Sequence, residues 1–375
     1  MIYIIKINKA PETMTAKERT KRTFFREKTD RVPMKYEANA GIHKRVSNAL
    51  GIYDCDHIKV CEALGTDYRS ANVKYNGPNL FKAVDGCNTD PVYGFYTRWV
   101  ENQYGGYMDF CNYPLKNVSD DEIASFPVVN ADDYDYSTVC EKLKRFKDYG
   151  IFIGGAGMCD VMNSLERLMG MEDILINLHT ENEATIELMN RKNEMELGML
   201  DRILNISKGQ VDFLWMGEDL GTQNAPMIGL DLYRRTLKPQ HKKFIDLAKA
   251  YNIPVLFHAC GSSSWVYDDL IEMGVTAVDT LQPEAKDMSP LYLKEKFGDR
   301  LAFHGCISTG GALGFGTESD VINTVKNTLE IMMQPASNAT GDGYFLSPTH
   351  WIQDTSPAKN VIALYQAGHD FGRYN

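Results

Sequence analysis

The stretch 253-IPVLFHACGSS-263 ends an apolar run with His258 and Cys260, two residues apart, and then turns on a glycine. If the run is a strand, side chains alternate across it, and His258 and Cys260 point to the same side. An imidazole beside a thiol is a ligand pair for zinc, which takes nitrogen and sulfur in tetrahedral geometry and keeps one position open in catalytic sites. A plain core is the competing reading, because an isolated buried cysteine behaves as a small apolar residue. Three other places could complete or rival the pair. His350, in 347-SPTHW-351, offers a second imidazole. The run 304-HGC-306 repeats the spacing, so Cys306 is either a ligand or a core thiol. In 217-GED-219, Glu218 and Asp219 offer carboxylates for a metal or a substrate, with a structural ion pair as the alternative for Glu218. Glu218, Asp219 and the earlier Glu37 are the candidate catalytic groups. Tyr36, Asn39, Gln223 and Gln282 are candidate substrate contacts.

These residues converge only if the chain brings its strand ends together. Strand-like runs fall at 32–38, 67–74, 150–156, 211–217, 253–260, 276–281, 301–307 and 343–347. Amphipathic helical stretches lie between the later ones, at about 181–207, 229–251, 264–273, 290–297 and 317–335, and a last one spans 357–371. Capping-box patterns, 15-TAKE-18 and 180-TENE-183, mark two helix starts at Thr15 and Thr180. Eight strands alternating with helices predict a closed (β/α)8 TIM barrel, with function at the C-terminal strand ends; a doubly wound open sheet is the alternative. Residues 1–13 read as a leader, and 14–375 as a single barrel domain. An aromatic-rich insertion over about 76–148, after the second strand, is read as a packed excursion or a lid.

Composition narrows the class. The net charge of −10 argues against a nucleic-acid groove and an anionic membrane surface. No run approaches the ~20 apolar residues of a membrane span. The opening 1-MIYIIKINKA-10 is too short in its apolar part for a signal-peptide core, so a cytoplasmic protein with reduced thiols is expected. The glycine runs 154-GGAG-157 and 310-GGALGFG-316 fit no Walker or GxGxxG pattern, and no GxSxG elbow suggests a hydrolase.

From about Met14 onward the chain resembles the uroporphyrinogen decarboxylase superfamily. The resemblance rests on 14-MTAKERTKR-22 with 30-DRVP-33, on 217-GEDLGTQ-223 and 258-HACG-261, on 298-GDRLAFHGCIST-309, and on 342-DGYFLSPTHWIQDTSPAKN-360. It implies a (β/α)8 barrel. Decarboxylases of this superfamily carry an arginine motif soon after DRVP that holds the substrate's carboxylates; here that place reads 34-MKYEANAGIHKR-45, with Glu37 and Asn39. The other branch, zinc-dependent methyltransferases acting with methylated corrinoid proteins, carries an H-x-C pair and a later cysteine, in a P-G-C run, as zinc ligands; this chain departs from it at that last place. His258 and Cys260 match the pair, and 348-PTH-350 stands at the third place, making His350 or Cys306 the further ligand. The resemblance therefore implies Zn2+, a corrinoid carried on a partner protein, and a small-molecule methyl donor or acceptor such as a thiol or a methoxylated compound. It is compatible with a homodimer. The rival expectations are a metal-free decarboxylase of a smaller carboxylate and a non-catalytic barrel subunit of a corrinoid complex.

Overall fold

The computed structural model describes residues 4–335 and 337–374, so Met1–Tyr3 of the leader lie outside the described residues. Seven parallel strands form one curled sheet: Tyr68–Ser70, Gly150–Gly154, Phe213–Gly217, Val255–His258, Ala277–Asp279, Ala302–Ile307 and Tyr344–Pro348, in that spatial order. Each falls on a predicted run. The predicted strand at 32–38 is an extended segment held by isolated bridges, Met34 to Leu346 and Ala38 to Ile352. Pro33 has no N–H to donate, which keeps a full ladder from forming there. The segment nonetheless closes the sheet. Leu346 N–H donates to Pro33 O at 2.9 Å on one side, and Asp67 N–H donates to Met34 O at 2.9 Å on the other.

Near-continuous apolar strands buried on both faces give two layers, as a parallel barrel requires. The interior is aromatic: Tyr68, Phe152, Phe213, Trp215 and Phe345 pack with Phe24, the last residue of the helix Ala16–Phe24. The Phe24 ring lies 4.8 Å from Phe213 and 5.0 Å from Phe345, so this helix plugs one end of the barrel. Thr15 caps it as predicted, accepting from Glu18 N. The second predicted cap shifts. Thr180 closes the preceding helix, Met171–His179, through a hydroxyl bond to Ile176 O, and Asn182 caps the long helix Glu183–Ser207. No helix among the described residues is long and apolar enough to cross a membrane.

Between Ser70 and Gly150 the chain forms a three-stranded antiparallel sheet, Asn88–Thr89, Tyr96–Val100 and Tyr107–Cys111, and a short pairing of Lys74–Tyr75 with Tyr134–Asp135. Residues 5–12 lie along the barrel: Ile5 N–H donates to Ala49 O, and Arg31 Nη2 donates to Glu12 Oε1 at 2.6 Å.

The 30-DRVP-33 motif has a structural role. Asp67 is fully buried and accepts from Arg19 Nη1 at 2.5 Å, Arg31 Nη1 at 2.7 Å and Met34 N at 2.7 Å; Asp30 accepts from Arg19 Nε at 2.7 Å. Removing one partner leaves buried guanidinium charge uncompensated, so Asp67→Ala is expected to cost about 3–5 kcal/mol in urea unfolding. Acid should weaken the same cluster. Burial would raise the Asp30 carboxyl, but Arg19 and the Thr13 and Met14 N–H groups outweigh it and hold it down to about 2. Its folded pKa thus lies below its unfolded value near 3.9, so its stabilisation is present above about pH 4 and is lost as pH falls towards 2. An Asp30→Asn variant that keeps the parent's pH–stability profile over that window would sink the assignment.

Candidate active site at the C-terminal mouth of the barrel

His258 ends its strand and Cys260 follows in the turn. Cys260 Sγ lies 3.4 Å from His258 Nε2. Asp219, two residues past the neighbouring strand, accepts from Cys260 N at 3.1 Å and sits 3.7 Å from His258 Nε2. One ligand atom from each of Asp219, His258 and Cys260 falls within 4.8 Å of the others. Gly217 permits the approach, because a Cβ there would meet His258 Cβ at 2.7 Å.

The other ring nitrogen of His258 is held from behind. His258 Nδ1 lies 2.8 Å from Asp279 Oδ2 and 2.6 Å from Thr280 Oγ1, which leaves Nε2 directed at Cys260. A carboxylate on the far nitrogen is the usual support for a metal-bound histidine. Asp279 also meets His304 Nδ1 at 2.5 Å and accepts from Trp215 Nε1 at 3.2 Å; His304 Nε2 in turn meets the Tyr68 hydroxyl. Burial disfavours the Asp279 carboxylate, but His304 and His258 outweigh it and hold its pKa far below the usual range. Burial likewise opposes charging of His258, yet Cys260 and Asp279 raise its pKa well above the ordinary value. Burial pushes the Cys260 thiol up, with His258 pulling against it. Thr280 holds φ +62°, unusual for a β-branched residue and a mark of local strain at this strand end.

The group opens into a cavity of about 290 Å³. Glu37, Glu218, Asp219, His258, Cys260 and His350 line it, all flagged by residue type. Their roles differ. Both Glu218 oxygens are occupied: Oε2 accepts from Val161 N and Met162 N at 2.7 Å, Oε1 accepts from Asn163 N at 2.9 Å, and His241 Nε2 lies 3.3 Å away. Glu218 therefore seats the first turn of the helix Met162–Met169. Glu37 pairs with Lys35 at 2.9 Å. His350 is exposed at the rim, its Nδ1 3.1 Å from the Gln353 amide nitrogen, and stands outside the three-residue group.

Cys306 does not share the face of His304. Its φ of +71°, after Gly305 at +125°, breaks the two-residue alternation. The thiol turns into the buried layer between strands and helices, where burial raises its pKa far above the ordinary value. Tyr36 also faces that layer, its hydroxyl 3.1 Å from His43 Nδ1, because Lys35 and Glu37 on either side take the inward positions. Asn39 precedes the helix Ala40–Ala49 and donates to Gln353. Gln223 is exposed on its loop. Gln282 buttresses the turn by accepting from Gly261 N at 2.6 Å.

The wall residues that the sequence analysis did not single out include Lys35, Asn163, Arg167 and Asp279. Lys35 Nζ sits 4.6 Å from the Phe152 ring centroid and 5.4 Å from that of Trp215. Arg167 pairs with Asp160, and Asn163 Oδ1 is buried without a hydrogen-bond partner. Only Asp279, at the end of a predicted strand, carried a positional signal.

The chain matches the family model described as Uroporphyrinogen decarboxylase (URO-D) over residues 150–371. No curated protein matches it in sequence. In structure it is similar to a methyltransferase from Methanosarcina mazei, with a TM-score of 0.63 and 17% identity over 96% of this chain and 99% of the other. At that identity the likeness is one of fold.

Proposed function

The chain belongs to the uroporphyrinogen decarboxylase family, and from that premise we propose that it is a zinc-dependent methyltransferase moving a methyl group between a corrinoid protein and a small molecule. The observation that carries this reading is the Asp219, His258 and Cys260 group, with Asp279 behind His258, at the mouth of a barrel cavity. The donor set fits zinc, which Asp219, His258 and Cys260 would hold: one thiol, one imidazole whose far nitrogen is held by a carboxylate, and one carboxylate, beside the cavity. The ion supplies Lewis acidity, lowering the pKa of a thiol acceptor or polarising the heteroatom of a methylated donor. The residues around it do the rest. Asp279 fixes the ring plane of His258. Asn163 offers an unspent amide oxygen to a bound small molecule, while Phe110 and Trp351 offer it apolar contact from the cavity wall.

A polyanionic decarboxylation substrate suits this wall poorly. Lys35 and Arg167 are its lysine and arginine among the described residues, and each is already paired, with Glu37 and Asp160. Each buried carboxylate left unpaired would cost several kcal/mol.

The test follows the visible spectrum of cobalamin. With methylcobalamin, thiols are offered as acceptors; with Co(I) cobalamin, methoxylated aromatics are offered as donors. The expected result is turnover in one direction that stops on chelation and returns with zinc. Coproporphyrinogen formed from uroporphyrinogen, with no cobalamin activity across the panel, would show the metal-free decarboxylase instead. A zinc-binding protein inactive in both assays would favour the non-catalytic subunit.

A further inference from the structure

The three-stranded sheet carries a feature the proposed reaction does not use. Cys87 Sγ and Cys111 Sγ lie 3.3 Å apart, and they are the one pair of thiols in contact among the described residues. Cys111 ends the strand Tyr107–Cys111 and is buried; Cys87 precedes the strand Asn88–Thr89 and is partly exposed. Asn112 Nδ2 lies 3.1 Å from Cys87 Sγ. Next to Cys111 in the chain, and on the opposite face of the sheet, Phe110 forms part of the cavity wall. We propose that Cys87 and Cys111 are a dithiol that a small-molecule disulfide converts to a reversible cross-link, clamping the sheet that supplies Phe110 to the cavity.

The exchange balances. The partly exposed Cys87 loses its proton to solvent and attacks one sulfur of the oxidant, forming a mixed disulfide and releasing one thiolate. Cys111 then loses its proton to solvent, attacks Cys87 Sγ and expels the second thiolate. Two cysteine thiols lose two electrons and two protons, and the oxidant is reduced to two thiols. The sulfurs need close only from 3.3 Å to a bond of about 2.05 Å. Burial and the neighbouring Cys87 raise the Cys111 thiol, so Cys87 is the first attacker and Cys111 reacts second, once the mixed disulfide is held beside it.

The experiment exposes the full chain to oxidised glutathione at neutral pH. Intact mass should fall by two hydrogens, with the peptides containing Cys87 and Cys111 linked. Chymotryptic cleavage at the exposed Tyr104 and Tyr107, inside the clamped segment, should slow several-fold and recover with dithiothreitol. Cys87→Ser should show neither change, whereas Cys140→Ser, which removes an exposed thiol on the helix Val139–Arg145, should keep both. Persisting alkylation of both thiols, a glutathione adduct that stays on Cys87, or a cross-link that leaves the cleavage rate unchanged would each overturn the proposal. The outcome is independent of zinc binding and of methyl transfer.

Discussion

Cys260→Ala is expected to purify without zinc and to transfer no methyl group above background. The thiol sits 3.4 Å from His258 Nε2, and no other thiol joins the three-residue group among the described residues: Cys306, two strands away, faces the helix layer. Zinc favours thiolate, and losing even an outer-shell partner costs about 10–100-fold in affinity, so losing a direct ligand should cost on the order of a hundredfold or more. Elemental analysis after dialysis reads this directly. The comparison that gives it force is Cys306→Ala, which should keep its full metal content and lose only packing stability. His350→Ala should also retain metal, because the exposed ring stands outside the three-residue group. If instead Cys306→Ala or His350→Ala loses the ion while Cys260→Ala keeps it, the site as drawn is wrong.

Asp279→Asn should weaken zinc binding about 10–100-fold without removing a ligand. The carboxylate holds His258 Nδ1 at 2.8 Å and His304 Nδ1 at 2.5 Å, and it accepts from Trp215 Nε1 and from Thr280 N. An amide of the same shape keeps one acceptor oxygen but presents N–H groups where an oxygen now accepts. His258 then loses the partner that fixes its tautomer and ring plane. Competition with a chromogenic chelator measures the affinity, and circular dichroism controls for the fold. Unchanged affinity in a folded variant would mean that Asp279 is only a buried counter-charge and that His258 is oriented by Thr280 alone.

Most of the barrel strands were legible in the sequence because they bury both faces, so they read as short apolar runs closed by glycine or a polar turn. Val255–His258 and Ala302–Ile307 are examples. Tyr68–Ser70, with Arg69 at its centre, is the exception. The pairing of His258 with Cys260 was legible from their two-residue spacing at a strand end, and the turn that holds Cys260 keeps its Sγ 3.4 Å from His258 Nε2. Strand order also put Asp219 within range, since neighbouring parallel strands end at one mouth. Local pattern failed where a remote contact intervened. Thr180 reads as a helix start, yet its hydroxyl is taken by the preceding helix, and Asn182 caps in its place. Glu218 reads as an acid at a strand end, yet it is spent on three backbone N–H groups from a helix some 55 residues earlier in the chain. Lys35 and Arg167 carry no local mark of a site, and they line the cavity only because the barrel closes. Cys306 is the sharpest case. By spacing it equals Cys260, and the period of two predicts that it faces inward beside His304; its left-handed backbone turns it away. Side-chain direction follows sequence only while φ and ψ stay in the strand region. Where a strand end bends, the dihedral is set by packing against neighbours far along the chain, so the choice between two equivalent thiols was made by the tertiary fold.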